Sequence, residues 1–283
     1  MFQKILWVTD FSEGATQALA WARLFARTFQ GSLTLLHVLP RPETSVPARL
    51  QKEMDALLEQ RKEERTAALG KLAEELRAEG LTVHERVRTG RVVEEILEEG
   101  ATHDLIVLGI RGETGARGAF IGTTAYRLIQ GVNTPVLAIP DHPREVVKVE
   151  DILVPVDLSP ASMQQIPRAM ELAEAFRARI TVLHVIELLE SISEEELSRE
   201  LLQDIWRQLK EHHPDLHPSA SFGLRVVRRY DAAPGILDVA EESGVDLLVM
   251  GSRGRHGLMK ALLGSVTEQV LRATPCPVLV FRV

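Results

Sequence analysis

GIRGETGARGAFIGT (residues 109–123) and GSRGRHGLMKALLGS (residues 251–265) carry one pattern, G-x2-G-x9-G-[ST]. The shared positions are Gly109, Gly112, Gly122 and Thr123 in the first stretch, and Gly251, Gly254, Gly264 and Ser265 in the second. Each copy follows a short apolar run, DLIVLG (104–109) or DLLVMG (246–251), and each opens a segment with helical character. A strand, a glycine-bearing turn and a helix make the start of a βα unit, so the motif decides for a fold of alternating strands and helices. Glycine at such a turn lets backbone N–H groups approach a ligand with no Cβ in the way. The helix start adds further free N–H groups and the positive end of a dipole, a combination that suits phosphate.

The repetition extends outward from the glycines. ILWVTDFS (5–12) matches ILVPVDLS (152–159), and LTLLHV (33–38) matches ITVLHV (180–185). THDLIVLGIRG (102–112) matches GVDLLVMGSRG (244–254), and NTPVLAIP (133–140) matches TPCPVLVF (274–281) on its Pro-Val-Leu. The offset is 147 residues at the start and 142 later, which means duplication of a whole domain. The period is far above the ~20–50 residues of a solenoid array. The expected division is a first domain over 1–140, a second over 151–283, and a polar linker DHPREVVKVE at 141–150.

Composition narrows the classes. A chain of 283 residues suits two domains of ordinary size, and 45% hydrophobic residues suffice for two cores. A net charge of −7 argues against general binding of DNA or RNA. No apolar run reaches the roughly 20 residues that span a bilayer. Asp10 and Glu13 arrive too early for a signal peptide. The single cysteine, Cys276, cannot form an intrachain disulfide, so the expected setting is the cytoplasm.

Within the first copy, KILWVT, SLTLLHV, LTVHERV, DLIVLG and PVLAI are predicted strands. Helices are predicted over 14–29, with Gly31 just past the end, over a polar segment 47–79 with apolar positions from Leu50 to Leu76, over 92–99, and over 123–131. The second copy repeats the order. Ser159-Pro160 reads as N-cap and first helical residue, and Ser193 with Glu196 as a capping box. Right-handed crossovers favour two tandem doubly wound parallel sheets, each of strand order 3-2-1-4-5. Ligands bind such α/β sheets beyond the carboxyl ends of the strands, where the winding reverses, here between strands 1 and 4. Strand 1 ends at Asp10 or Asp157, and strand 4 at Gly109 or Gly251. Strand 5 of each copy is an apolar edge, and exposed edges seek partners, so the halves are expected to pair there as an internal pseudo-dimer.

With these motifs the chain resembles the universal stress protein family in its tandem two-domain form, over nearly all of both halves. The resemblance implies the adenine-nucleotide alpha hydrolase-like fold and a stress-response role. In the ATP-binding branch, the glycine motif holds the phosphates and ribose. The acidic residue after strand 1 and the backbone after strand 2 hold the adenine end. Carried over by position, the first half offers Thr9, Asp10, Val38, Gly109, Gly112, Gly122, Thr123 and Thr124. The second offers Val156, Asp157, Val185, Gly251, Gly254, Gly264, Ser265 and Val266. The expectation is two ATP per chain, with Mg²⁺ or Mn²⁺ on the phosphates. The family often has a glycine after strand 3, before proline or alanine. Here the first copy has Gly90 without the proline (Val92), and the second has Pro234 with Ala232 where Gly90 would be.

Simpler readings stand beside these. The glycines serve a tight turn, Thr123 and Ser265 serve as N-caps, and Asp10 and Asp157 serve helix entry. Arg111 and Arg253 reach phosphate or remain solvated. Arg117, Arg255, His256 and Lys260 add positive charge to the same segments. His37 and His184 are equivalent, and packing at the strand end competes with catalysis. No G-x4-G-K-[ST] and no G-x-G-x-x-G occurs. His212, His213 and His217 read as a solvated loop, and Cys276 has no evident base. No catalytic residue and no protein metal ligand is assigned. The rival reading is a slow ATP hydrolase or nucleotidyl-transfer enzyme on the same scaffold, which requires a group that orients the attack, and Glu113 is the one candidate in the loops. No membrane contact is expected, a homodimer remains open, and no client protein is named by the residues.

Overall fold

The computed structural model describes residues 1–41, 47–111, 121–141, 147–187, 194–212, 221–252 and 263–282. The first half runs β1 (Lys4–Thr9), α1 (Glu13–Phe29), β2 (Ser32–Pro40), α2 (Ala48–Ala78), β3 (Val83–Gly90), α3 (Val92–Gly100), β4 (Leu105–Gly109), α4 (Thr123–Gly131) and β5 (Val136–Ile139). The second runs β6 (Asp151–Pro155), α5 (Pro160–Met163), α6 (Gln165–Phe176), β7 (Arg179–Glu187), α7 (Glu194–His212), β8 (Phe222–Arg229), α8 (Ala232–Glu242), β9 (Leu247–Gly251), α9 (Ser265–Ala273) and β10 (Val278–Phe281). No described helix is long and apolar enough to cross a membrane.

All the described strands join one sheet of order β3-β2-β1-β4-β5-β10-β9-β6-β7-β8. Each half therefore has the expected 3-2-1-4-5 order, with parallel pairing throughout. The halves meet through β5 and β10, which pair antiparallel as the apolar edge reading expects. Leu137 lies opposite Leu279, its own counterpart 142 residues on, so a local two-fold axis passes between them. The free edges are β3 (VHERVRTG) and β8 (FGLRVVRR), whose charges discourage further strand addition. Because β5 and β10 oppose each other, the carboxyl ends of the two halves' strands lie at opposite ends of the sheet.

Alternation along the strands splits the core into two layers. Ile5, Trp7, Leu105 and Val107 face α1 and α2, whereas Leu6, Ile106 and Leu108 face α3 and α4. The first layer continues across the junction, where Phe25 and Phe29 of α1 pack on Phe176 of α6 at 5.1 and 5.8 Å between ring centroids. Phe25 is fully buried, and such a side chain contributes about 1.5–3 kcal/mol.

Local chemistry explains the helix ends, with two departures from expectation. Ser12 and Ser159 cap α1 and α5 by accepting from the N–H groups of Ala15 and Ser162, both at 3.2 Å. The left-handed residue ending α1 is Gln30 (φ 51°), not Gly31. Gly31 is needed for room, since a Cβ there would meet the Phe2 carbonyl oxygen at 2.6 Å. The single helix expected after Ser159 is broken at Gln164. Pro167 has no N–H to give the Met163 carbonyl, and its ring crowds that carbonyl. Ser193 of the expected capping box lies outside the described residues.

Candidate functional site

The β1 terminus is built the same way in both halves. Phe11 and Leu158, the residues after Asp10 and Asp157, have φ of 66° and 61°. Bulky side chains in the left-handed region mark backbone held by its surroundings. Part of the hold is the carboxylate. Asp10 Oδ1 accepts from the Ser12 N–H at 3.0 Å. Asp157 Oδ1 accepts from the Ser159 N–H at 3.0 Å and its hydroxyl at 2.6 Å. The helix-entry reading is thus satisfied by one oxygen of each carboxylate. Thr9 is buried, and its Oγ1 accepts from the Phe11 N–H at 2.9 Å. Val156 is buried too, and its N–H donates to the Leu183 carbonyl at 2.8 Å.

The paired histidines close the same end from β2 and β7. His37 Nδ1 lies 2.8 Å from the Thr9 carbonyl oxygen, and His184 Nδ1 lies 2.8 Å from that of Val156. A carbonyl has no proton to give, so Nδ1–H donates in both rings and Nε2 carries the lone pair of the neutral form. Burial holds His37 below its ordinary pKa and Arg65 adds to that, while the Thr9 hydrogen bond and Asp10 oppose it. Both rings tie strand 2 to strand 1, which is a packing role. The residues after them, Val38 (buried) and Val185 (half-buried), sit beside Arg88 of β3 and Val227 of β8 in register.

A contact that the sequence did not announce distinguishes the first half. The Phe11 ring lies 4.9 Å from the His37 ring, and the Arg65 guanidinium of α2 lies 4.6 Å from the Phe11 centroid on its face. The second half has Leu158 in place of Phe11, so this stack cannot form there. Arg65 stands 54 positions beyond Phe11, and no local pattern links them.

The motif glycines divide into different roles. Gly109 ends β4 against the backbone of α1. A Cβ on it would meet the Gly14 carbonyl carbon at 2.9 Å and oxygen at 3.0 Å. Its missing side chain therefore makes room for a helix. Gly109→Ala should lower stability by about 1–3 kcal/mol, because backbone must move to admit the methyl group. Urea unfolding measures this, and an unchanged midpoint would refute the packing role. Arg111, expected at phosphate or in solvent, forms an ion pair with Asp141 at 2.8 Å.

The third glycine is tied back to the chain just past strand 4. The Gly122 N–H donates to the Ile110 carbonyl at 2.8 Å, and Gly264 to Ser252 at 2.8 Å. Gly122 and Gly264 are the N-caps of α4 and α9, and neither helix has a side-chain cap. Helix geometry leaves the N–H groups of 123–125 and 265–267 without intrahelical acceptors. Thr123, Thr124 and Ser265 are exposed there, and Val266 is half-buried. Gly251 ends β9, buried beside Phe281. Gly112, Arg253 and Gly254 lie outside the described residues, as do Glu113, Arg117, Arg255, His256, Lys260, His213 and His217.

The expected equivalence of Gly90 and Ala232 is corrected by strand register. Gly90 pairs with Pro40, and Arg229 pairs with Glu187, the counterpart of Pro40. Arg229 therefore takes the place of Gly90. Its guanidinium binds Asp238 at 2.9 Å, so the two halves differ in charge at the end of strand 3.

Among described residues, no group of His, Cys, Asp and Glu side chains is arranged to hold a metal ion.

The sequence and the architecture have known parallels. A universal stress protein of Mycolicibacterium smegmatis is 27% identical, covering 98% of this chain and 96% of that relative. A universal stress protein of Methanocaldococcus jannaschii is 30% identical over 46% of this chain. The crystal structure of a universal stress protein from Archaeoglobus fulgidus superposes with TM-score 0.72 at 20% identity, covering 98% of this chain and 97% of that one, a likeness of fold. The model of the Universal stress protein family matches residues 1–140 and again 148–282. The chain belongs to the universal stress protein family, with two copies of its unit in tandem.

Proposed function

We propose that each half binds one ATP, with Mg²⁺ or Mn²⁺ on its phosphates, and that the protein is a nucleotide-holding regulator of the stress response in the cytoplasm. The observation that carries this reading is the twin helix start: α4 and α9 each begin at a glycine whose N–H donates back to the chain just past strand 4, to Ile110 or Ser252, and neither has a side-chain cap. Free amides at a helix start favour a phosphate group. Asp10 and Val38, with Asp157 and Val185, would border the adenine end, and Gly112 and Gly254 the phosphates.

The donors described are backbone amides and hydroxyls. They serve ground state and transition state alike, so they tighten binding without raising turnover. Calorimetry with ATP and Mg²⁺ should find two sites per chain, and mass spectrometry should identify co-purified nucleotide. Gly112→Trp should remove one site and Gly254→Trp the other. A single site untouched by one of these changes would show that one half is degenerate. Phosphate release should stay below about 1 s⁻¹, the low end of enzyme turnover. Multiple turnovers per second, lost on replacing Glu113 or Arg253, would favour the hydrolase instead.

A further inference from the structure

Positions near a two-fold axis meet their own counterparts, and here one such meeting links α4 to α9. Tyr126 is the fourth residue of α4, and Glu268, 142 positions on, is the fourth residue of α9. The Tyr126 hydroxyl donates to Glu268 Oε2 at 3.3 Å across the junction. Glu268 Oε1 also accepts from Arg272, one turn further along α9, at 2.5 Å. Two glutamates at this place would repel, whereas tyrosine against glutamate gives a donor and an acceptor. Burial and Glu268 hold the Tyr126 phenol above its ordinary pKa, so it remains the donor at neutral pH.

The charge matters because of where it sits. A carboxylate in the first turn of a helix already answers part of the positive dipole that an incoming phosphate would use. Glu268 does this directly for α9. The first turn of α4 has no acidic residue of its own, but Tyr126 holds the Glu268 carboxylate one side chain away from it. Arg272 offsets part of the charge. We infer that Glu268 is a single affinity-setting carboxylate shared by both nucleotide sites, linked to the first through Tyr126. This rests on the nucleotide reading above.

The test is calorimetry with ATP and Mg²⁺ on the full chain, repeated with one site disabled by Gly254→Trp or Gly112→Trp so that each is read alone. Glu268→Gln, nearly isosteric, should tighten both sites, each by about two- to fivefold, the range of one partly screened charge at a helix start. Arg272→Met should weaken both by a similar factor. In a Tyr126→Phe background, Glu268→Gln should still tighten the second site but no longer alter the first. An effect of Glu268→Gln confined to the second site, or absent from both, would overturn the sharing while leaving nucleotide binding intact. A wild-type chain that binds no nucleotide would overturn both readings.

Discussion

Leu279→Asp is expected to destabilise the whole chain by about 4 kcal/mol or more, in the range reserved for a buried, unpaired charge. Leu279 is fully buried, with Leu137 of β5 opposite it on one side and Val249 of β9 on the other. All three belong to one core layer, so a carboxylate there must be buried unpaired or take up a proton. For a chain of this size the midpoint of thermal unfolding should fall by roughly 10 °C. Leu279→Ala, which only leaves a cavity, should cost about 2–4 kcal/mol and serves if the aspartate variant does not fold. Because that core layer contains residues of both halves, both should lose stability together. Calorimetric melting that shows the first half unfolding at its original temperature would mean that the shared sheet does not couple them.

Thr123→Asp should separate binding from stability by moving them in opposite directions. The new carboxylate would lie at the start of α4, among the amides proposed to hold phosphate. Repulsion at a few ångströms should weaken the first site about thirtyfold or more. The same charge should stabilise α4 by about 0.3–1 kcal/mol, because its first turn has no acidic residue. Ser265→Asp should behave likewise for the second site, with a smaller gain because Glu268 already occupies that turn. Paired calorimetric titration and melting read both quantities. Stabilised helices with undiminished affinity would place the phosphates elsewhere.

Most strands and helices were legible because their information is local and periodic. KILWVT and DLIVLG alternate or run apolar over a few residues, and Ser159 lies beside the helix it caps. The duplication added a check, since each element had to appear twice. What escaped were facts about distance across the fold. Gly31 looked like a helix terminator, yet it answers the Phe2 carbonyl, reached only when β1 and α1 pack. Gly109 looked like a ligand-facing residue, and its nearest neighbours are in α1. Arg111 gave no hint of Asp141, nor Phe11 of Arg65, because each pair is brought together by the sheet. The Gly90 equivalence failed because a gapped sequence match does not know strand register, whereas the ladder pairs Arg229 with Glu187. Pro167 is a local signal of another kind, and it breaks the helix where proline chemistry says it should.

The β5–β10 ladder has a further consequence when concentration is considered. Residues 140–150 connect the end of β5 to the start of β6, so the strands that form the junction belong to one chain. A tether of that length sets an effective concentration of about millimolar for the encounter. Two separate half-length proteins joined by such a short ladder would dissociate on dilution, and their pairing would track how much of each was present. In the fused chain the pairing is unimolecular. Its two crevices therefore remain in a fixed one-to-one ratio at any abundance, and scarcity of the protein changes how many pairs there are without changing what each pair is.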